Sequence, residues 1–168
     1  SSETNVQKAE APLWYSVLLW GITVAFLVYG FALVQHASRL LFYPWGVDYV
    51  EWPEIARAWD LLNGQTLFPT WEKFPFRESN YTPLFTFVNA LGVMLTGPTP
   101  FTGRLLALAC TLGIMTTIGM LVYPHVQRKL SIAIMGAALY ASSHMVWLWS
   151  SIVRVDNLAV LFGLLALL

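Results

Sequence analysis

The run from Trp14 to Gln35 contains no charged residue, and this feature most restricts what the chain can fold into. As a helix it is long enough to cross about 30 Å of hydrocarbon. It is too long for the apolar part of a signal peptide, and no small-residue cleavage site follows it, so we expect an uncleaved anchor. The whole chain is 57% hydrophobic and 11% charged. Soluble domains carry about 25% charged residues, so the composition indicates a membrane protein.

Further charge-poor stretches follow, and the sequence predicts an all-α fold: a polytopic transmembrane helix bundle with a large extracytoplasmic first loop bearing interfacial helices. The last stretch would give a helix of about 18 Å, too short to cross, so we expect the sequence to be part of a longer chain. The predicted divisions are a cytoplasmic tail (1–13), spans at 14–36, 101–123 and 130–152, the loop 37–100 with helices at about 51–63 and 83–97, and the start of another span at 157–168.

The stretch 83–97 leaves two topologies open, because Pro83 opens it, Gly97 closes it and it is short for a span. If it crosses, the basic loop 125–129 lies on the same side as the loop 37–82. If it does not, the basic loop lies in the cytoplasm, as the positive-inside tendency prefers. We favour the second topology, which places Asp48 and Asp156 on one face. The expected location is a bacterial inner (cytoplasmic) membrane with a cytoplasmic N-terminus.

The predicted helix at 51–63 is amphipathic, with an apolar stripe that includes Trp52 and Trp59. We expect this stripe to lie in the acyl boundary and the charged residues to face water. Those charged residues are Glu51, Glu54, Arg57 and Asp60.

Two groups of polar residues at the predicted membrane edge are candidates for chemistry. Asp48 precedes the helix at 51–63, where it acts either as a helix cap or as a general base or metal ligand. Glu51 is a candidate substrate-binding residue, or an ordinary acid of a first helical turn. Arg154 and Asp156 either pair with each other, or Arg154 holds an anionic head group while Asp156 joins Asp48. Such paired acids could take an acceptor proton or hold a divalent cation such as Mg or Mn.

Other residues point less clearly to function. Tyr81 lies in Asn80-Tyr81-Thr82-Pro83-Leu84, mainly the start of the 83–97 helix and a further candidate for substrate binding. Cys110 is alone, so no disulfide can form within the chain. Zero net charge without a basic block argues against nucleic acid as a partner.

The order of these motifs resembles the integral-membrane GT-C glycosyltransferases, especially the protein O-mannosyltransferase and aminoarabinose transferase group. The residues that carry the resemblance are Asp48 after the first span, Tyr81-Thr82-Pro83-Leu84, Gly103-Arg104-Leu105-Leu106-Ala107 and Arg154-Val155-Asp156, and the likeness covers about 37–168. The family often has Asp-Glu at Asp48-Tyr49 and Tyr-Pro-Pro-Leu at residues 81–84, and its later helices are absent from this sequence.

The resemblance implies a polyprenyl-phosphate sugar donor and an extracytoplasmic acceptor, with Asp48 as base or metal ligand and Asp156 as second acid. The leading hypothesis is therefore the N-terminal part of a membrane glycosyltransferase. The alternative is a non-catalytic transmembrane subunit of a larger complex, for example photosynthetic or respiratory, with other membrane-protein subunits as partners. A transporter fragment fits less well, because transporter sites lie at mid-bilayer and these charges cluster at its edge.

Overall fold

A computed structural model describes residues 12–68, 83–127 and 129–168, and within these ranges the regular structure is entirely helical. Two helices are long and apolar enough to cross a membrane: α1 (Leu13–Leu41), and α4 (Pro100–Val122) with the short 3-10 turn that continues it to Val126. The shorter helices are α2 (Glu51–Leu62), α3 (Pro83–Thr96), α5 (Leu130–Ala141), α6 (His144–Trp149) and α7 (Asp156–Leu165).

The helix starts and stops follow the predicted signals. α2 ends just before Gly64, and α3 ends at Gly97; both glycines have a positive φ, +72° and +77°, which side chains strongly disfavour. Pro100 stands in the first turn of α4, where its missing N–H leaves no hydrogen bond unmade. The predicted helices at 51–63 and 83–97 are thus confirmed as helices, and the predicted span 101–123 corresponds to α4.

The predicted span 130–152 is divided in the structure. α5 ends at Ala141, and α6 starts only after Ser142 and Ser143, so the stretch is not one continuous helix. Serine side chains compete with the backbone for hydrogen bonds, and the Ser142 hydroxyl donates to the Leu139 carbonyl at 2.8 Å. The apolar composition of 130–152 masked this interruption.

α2 lies with three of its four charged residues inward, which corrects the expectation that they face water. Glu51, Glu54 and Arg57 are all buried, whereas Trp52 and Trp59 remain 46% and 43% exposed. Trp52 and Trp59 share the exposed face, but Ile55, which the predicted apolar stripe also includes, is buried in the core. Buried charges are tolerated when paired, and that pairing decides which way the helix turns.

The helices pack as a bundle in which α1 lies along α5, α4 along α5 and α7, and α2 along α3. A core cluster joins four of these elements through Ile55, Phe85, Cys110 and Leu158, with Val153 from the loop before α7. Gly103 permits the close approach of that loop, since a Cβ there would lie 2.6 Å from Val153 Cγ1. The loop after α1 reaches the same place, because the carbonyls of Tyr43 and Trp45 accept hydrogen bonds from Arg104. The loop after α1 and the loop before α7 therefore meet at the start of α4.

Candidate functional site

Arg104, in the second turn of α4, anchors the end of the bundle where the two loops meet. Its side chain is fully buried, and all five of its N–H groups are used. Nη1 donates to the carbonyls of Leu40 and Tyr43, both at 2.6 Å, and Nη2 donates to the carbonyl of Trp45 at 2.7 Å. The remaining donors reach Glu51, with Nε to Oε1 at 2.8 Å and Nη2 to Oε2 at 2.7 Å. The arginine thus ties the end of α1 and the following loop to α2.

Glu51 is the acceptor at the centre of this arrangement. Besides the two bonds from Arg104, its Oε2 accepts the Val47 N–H at 2.7 Å and its Oε1 accepts the Val153 N–H at 3.1 Å. Burial by itself raises the pKa of Glu51, but the hydrogen bonds from Arg104 and the two backbone amides outweigh it and leave the pKa below 4.5. Glu51 is therefore held as a carboxylate inside the protein, with both oxygens occupied by protein donors.

Asp48, Arg154 and Asp156 meet beside this buried pair. Arg154 lies with Nη1 3.7 Å from Asp48 Oδ2 and with Nε 3.1 Å from Asp156 Oδ2. The side chains of Asp48 and Arg154 are each 17% exposed, and that of Asp156 is 44% exposed. The site is thus partly open, and the loop after α1 and the start of α7 each contribute one acid to the same guanidinium.

The Arg154 guanidinium also lies over the ring of Trp149, with Cζ 4.3 Å from the ring centroid. A cation over an indole face is attracted by the ring's quadrupole, so Trp149 fixes the plane of the guanidinium. The Arg154 Nε is buried and has no partner of hydrogen-bond geometry within the described residues. Arg104 thus has every donor used by the protein, whereas Arg154 is held by its ion pairs with Asp48 and Asp156 and by the Trp149 ring.

The candidate metal role of Asp48 and Asp156 fits this geometry poorly. The described part of the chain contains no group of three or more His, Cys, Asp or Glu side chains that could hold a metal ion. The Arg154 guanidinium also stands beside both carboxylates, and its charge opposes a divalent cation there. We therefore derive no chemical step through a metal.

The structure brings three of the sequence-predicted site residues together and places Glu51 apart from them. Asp48, Arg154 and Asp156 form one cluster. Glu51 lies apart from it, fully buried against Arg104. Tyr81 lies outside the described residues.

Arg104 is the residue at this end of the bundle that sequence reasoning did not single out. It entered only as part of the Gly103-Arg104-Leu105 motif, although an arginine in an otherwise uncharged run is itself a strong signal. The signal does not reveal the partner, because Glu51 is far away along the chain and resembles any acid at a helix start.

The fold and the site define a class of protein. The described residues form an all-helical chain with two helices that could cross a membrane and a cluster of charges at one end of the bundle. Comparison with known proteins found no matching family model, no similar curated protein and no similar solved structure.

Proposed function

We propose that the chain is the N-terminal part of a membrane glycosyltransferase that moves a sugar from a polyprenyl-phosphate donor to an extracytoplasmic acceptor. The observation that carries the proposal is the meeting of Asp48, Arg154 and Asp156 around one partly open guanidinium. Two acids and a cation from separate segments are the groups needed to accept a proton and to stabilise a leaving phosphate.

The proposed reaction assigns one role to each residue. Asp48 takes the proton of the acceptor hydroxyl as its oxygen attacks the anomeric carbon of the sugar. The bond from that carbon to the phosphate oxygen breaks, and its electron pair leaves with the lipid phosphate. Arg154 neutralises the charge that develops on this phosphate, as guanidinium groups do when they bind phosphate oxygens. Asp156 holds Arg154 in place from its Nε side.

A groove at the end of α1 supports a lipid carrier as the donor. It has a volume of about 440 Å³ and runs between the end of α1 and the turn that joins α3 to α4. Phe42, Tyr43 and Phe101 contribute to its lining, and Phe42 and Phe101 lie 5.6 Å apart. The Tyr43 carbonyl is bonded to Arg104, so the groove and the charged cluster are fixed to the same buried residue. An isoprenoid chain in this groove would keep its phosphate at the same end of the bundle.

The test is lipid-linked sugar transfer by membranes that contain the full-length protein with Asp48→Asn. General-base catalysis is worth about 10²–10⁴-fold, so turnover should fall by about that factor. Arg154→Gln should also lower turnover, while Glu54→Gln, a buried acid outside the cluster, serves as the control. Unchanged turnover in Asp48→Asn would remove that residue from the mechanism.

A non-catalytic subunit is the second candidate, and the apolar surface of α1 favours it. Trp14, Trp20 and Phe31 are between 62% and 71% exposed along this helix, which leaves a broad face for another membrane helix or for lipid. Mild detergent extraction followed by native mass measurement would separate the two candidates. Stable co-purification with other membrane subunits, without sugar transfer by the complex, would favour the subunit.

A further inference from the structure

The buried Glu51–Arg104 pair touches the backbone immediately before each partner of the Asp48–Arg154 pair. Glu51 Oε2 accepts the N–H of Val47, the residue before Asp48, at 2.7 Å. Glu51 Oε1 accepts the N–H of Val153, the residue before Arg154, at 3.1 Å. One carboxylate therefore bridges the two loops that supply the exposed cluster.

The same glutamate fixes Asp48 from its other side. The Glu51 N–H donates to the Asp48 carbonyl at 3.2 Å, so the backbone on both sides of the Asp48 side chain is bonded to one residue. Burial and the full set of partners leave the carboxylate no alternative position, because any rotation would break charged hydrogen bonds in a dry environment.

Arg104 in turn fixes the glutamate. It contacts both carboxylate oxygens in a fork, which sets the plane of the carboxylate as well as its distance. Its other donors hold the loop carbonyls of Tyr43 and Trp45, just upstream of Val47. A lysine could supply the charge, but not the five donors in one plane.

We infer that Glu51 and Arg104 are positioning residues that set the spacing of Asp48 and Arg154. The inference rests on the proposed function for the use of that spacing, but the spacing itself is measurable without any substrate. Glu51 acts through two backbone amides and Arg104 acts through Glu51, so neither residue needs to touch a substrate.

The experiment measures loop spacing directly by cross-linking. Asp48→Cys and Asp156→Cys are introduced into the full-length protein with Cys110→Ala, which removes the one native cysteine among these 168 residues. The two positions flank the same guanidinium, so a short bifunctional thiol reagent should join them rapidly. Glu51→Gln is then added, since an amide cannot accept on both sides and must turn its NH₂ toward a donor.

We expect Glu51→Gln to slow the cross-linking by about tenfold or more, because intramolecular reactions depend steeply on orientation. The matched control is Glu54→Gln, the same change one turn further along α2, and it should leave the rate unchanged. Cross-linking is compared at a temperature at which far-UV circular dichroism shows every variant folded. A merely stabilising role would lower the unfolding temperature of Glu51→Gln and leave its cross-linking rate equal to that of the parent, which would overturn the inference.

Arg104→Lys keeps the charge and provides the measurement if Glu51→Gln does not fold. It should slow cross-linking as well, since the loop carbonyls lose donors, and a parental rate in this variant would equally contradict the inference. Loss of sugar transfer in Asp48→Asn together with unchanged cross-linking in Glu51→Gln would uphold the proposed function and refute the positioning role. Slowed cross-linking in Glu51→Gln, with no sugar transfer by the unmodified protein, would uphold the positioning role and refute the proposed function.

Discussion

Replacing Arg104 by methionine tests whether the buried ion pair holds this end of the bundle together. The substitution keeps a long apolar side chain but leaves the Glu51 carboxylate buried without its cation. Breaking a buried pair in this way costs about 3–5 kcal/mol. The carbonyls of Tyr43 and Trp45 also lose their Arg104 donors, at about 1–3 kcal/mol each where they stay dry. We therefore expect a loss of at least about 4 kcal/mol, a large part of the about 5–15 kcal/mol that stabilises a folded domain.

The double variant separates lost charge from lost packing. In Arg104→Met with Glu51→Leu no charge is left buried, although the amides of Val47 and Val153 lose their acceptor. The free energy of unfolding that the double variant loses should be up to about 3 kcal/mol smaller than the sum of the losses in the two single variants, because the two side chains are in contact and their effects are coupled. Arg154→Met is the control, since its partly exposed ion pairs are worth about 0–1 kcal/mol and weaken with salt.

The assay is unfolding by sodium dodecyl sulfate in mixed micelles, followed by the fluorescence of the chain's eight tryptophans. The midpoint for Arg104→Met should shift strongly and independently of salt, because the pair is shielded from solvent. Strict additivity of the single changes, or a loss in Arg104→Met no larger than that in Arg154→Met, would refute the electrostatic reasoning.

Two further predictions concern stability. Burial raises the pKa of Glu54 above 4.5 despite the attraction of Arg57. The folded state then binds a proton more readily than the unfolded state, so this residue makes stability rise as the pH falls toward the ordinary pKa of a glutamate. Glu54→Gln should remove that slope, as thermal unfolding over a series of pH values would show, and equal slopes would contradict the sign. The slopes are compared rather than the absolute stabilities, because the change also leaves the buried Arg57 without its ion-pair partner. Gly103→Ala should cost about 1–3 kcal/mol, because its Cβ would lie 2.6 Å from Val153 Cγ1. The control is Gly163→Ala, because the added methyl would meet open space there. Alanine should stabilise that helix by about 0.5–1 kcal/mol relative to glycine. Equal unfolding midpoints for Gly103→Ala and Gly163→Ala would argue against the close approach of Val153 to Gly103.

The sequence predicted the helices well wherever local signals were strong. Pro83 and Gly97 mark the ends of α3, and Gly64 follows the end of α2, because proline and glycine act on the backbone at their own positions. The break at Ser142 and Ser143 was missed, since hydropathy averages over a window and hides two serines among apolar residues.

The orientation of α2 could not be read from its own residues. An amphipathic pattern predicts two faces, but the side that turns inward depends on what lies opposite. Arg104 from α4 lies opposite Glu51, and the paired carboxylate is buried there while Trp52 and Trp59 stay half-exposed. The meeting of Asp48 with Arg154 and Asp156 agrees with the expectation that the two loops lie at one end of the bundle. The membrane side on which that end lies stays a prediction.

The chain order of Glu51 and Arg104 has a consequence for biogenesis. An arginine near the start of a membrane helix is costly to pass through the insertion machinery, and the cost falls when a counter-charge is at hand. Glu51 is synthesised before Arg104. Under the topology that we predict, its carboxylate is therefore already outside when the first turns of α4 leave the ribosome. A nascent chain arrested shortly after α4 should therefore integrate that helix efficiently, and the same chain with Glu51→Leu should leave a larger fraction uninserted.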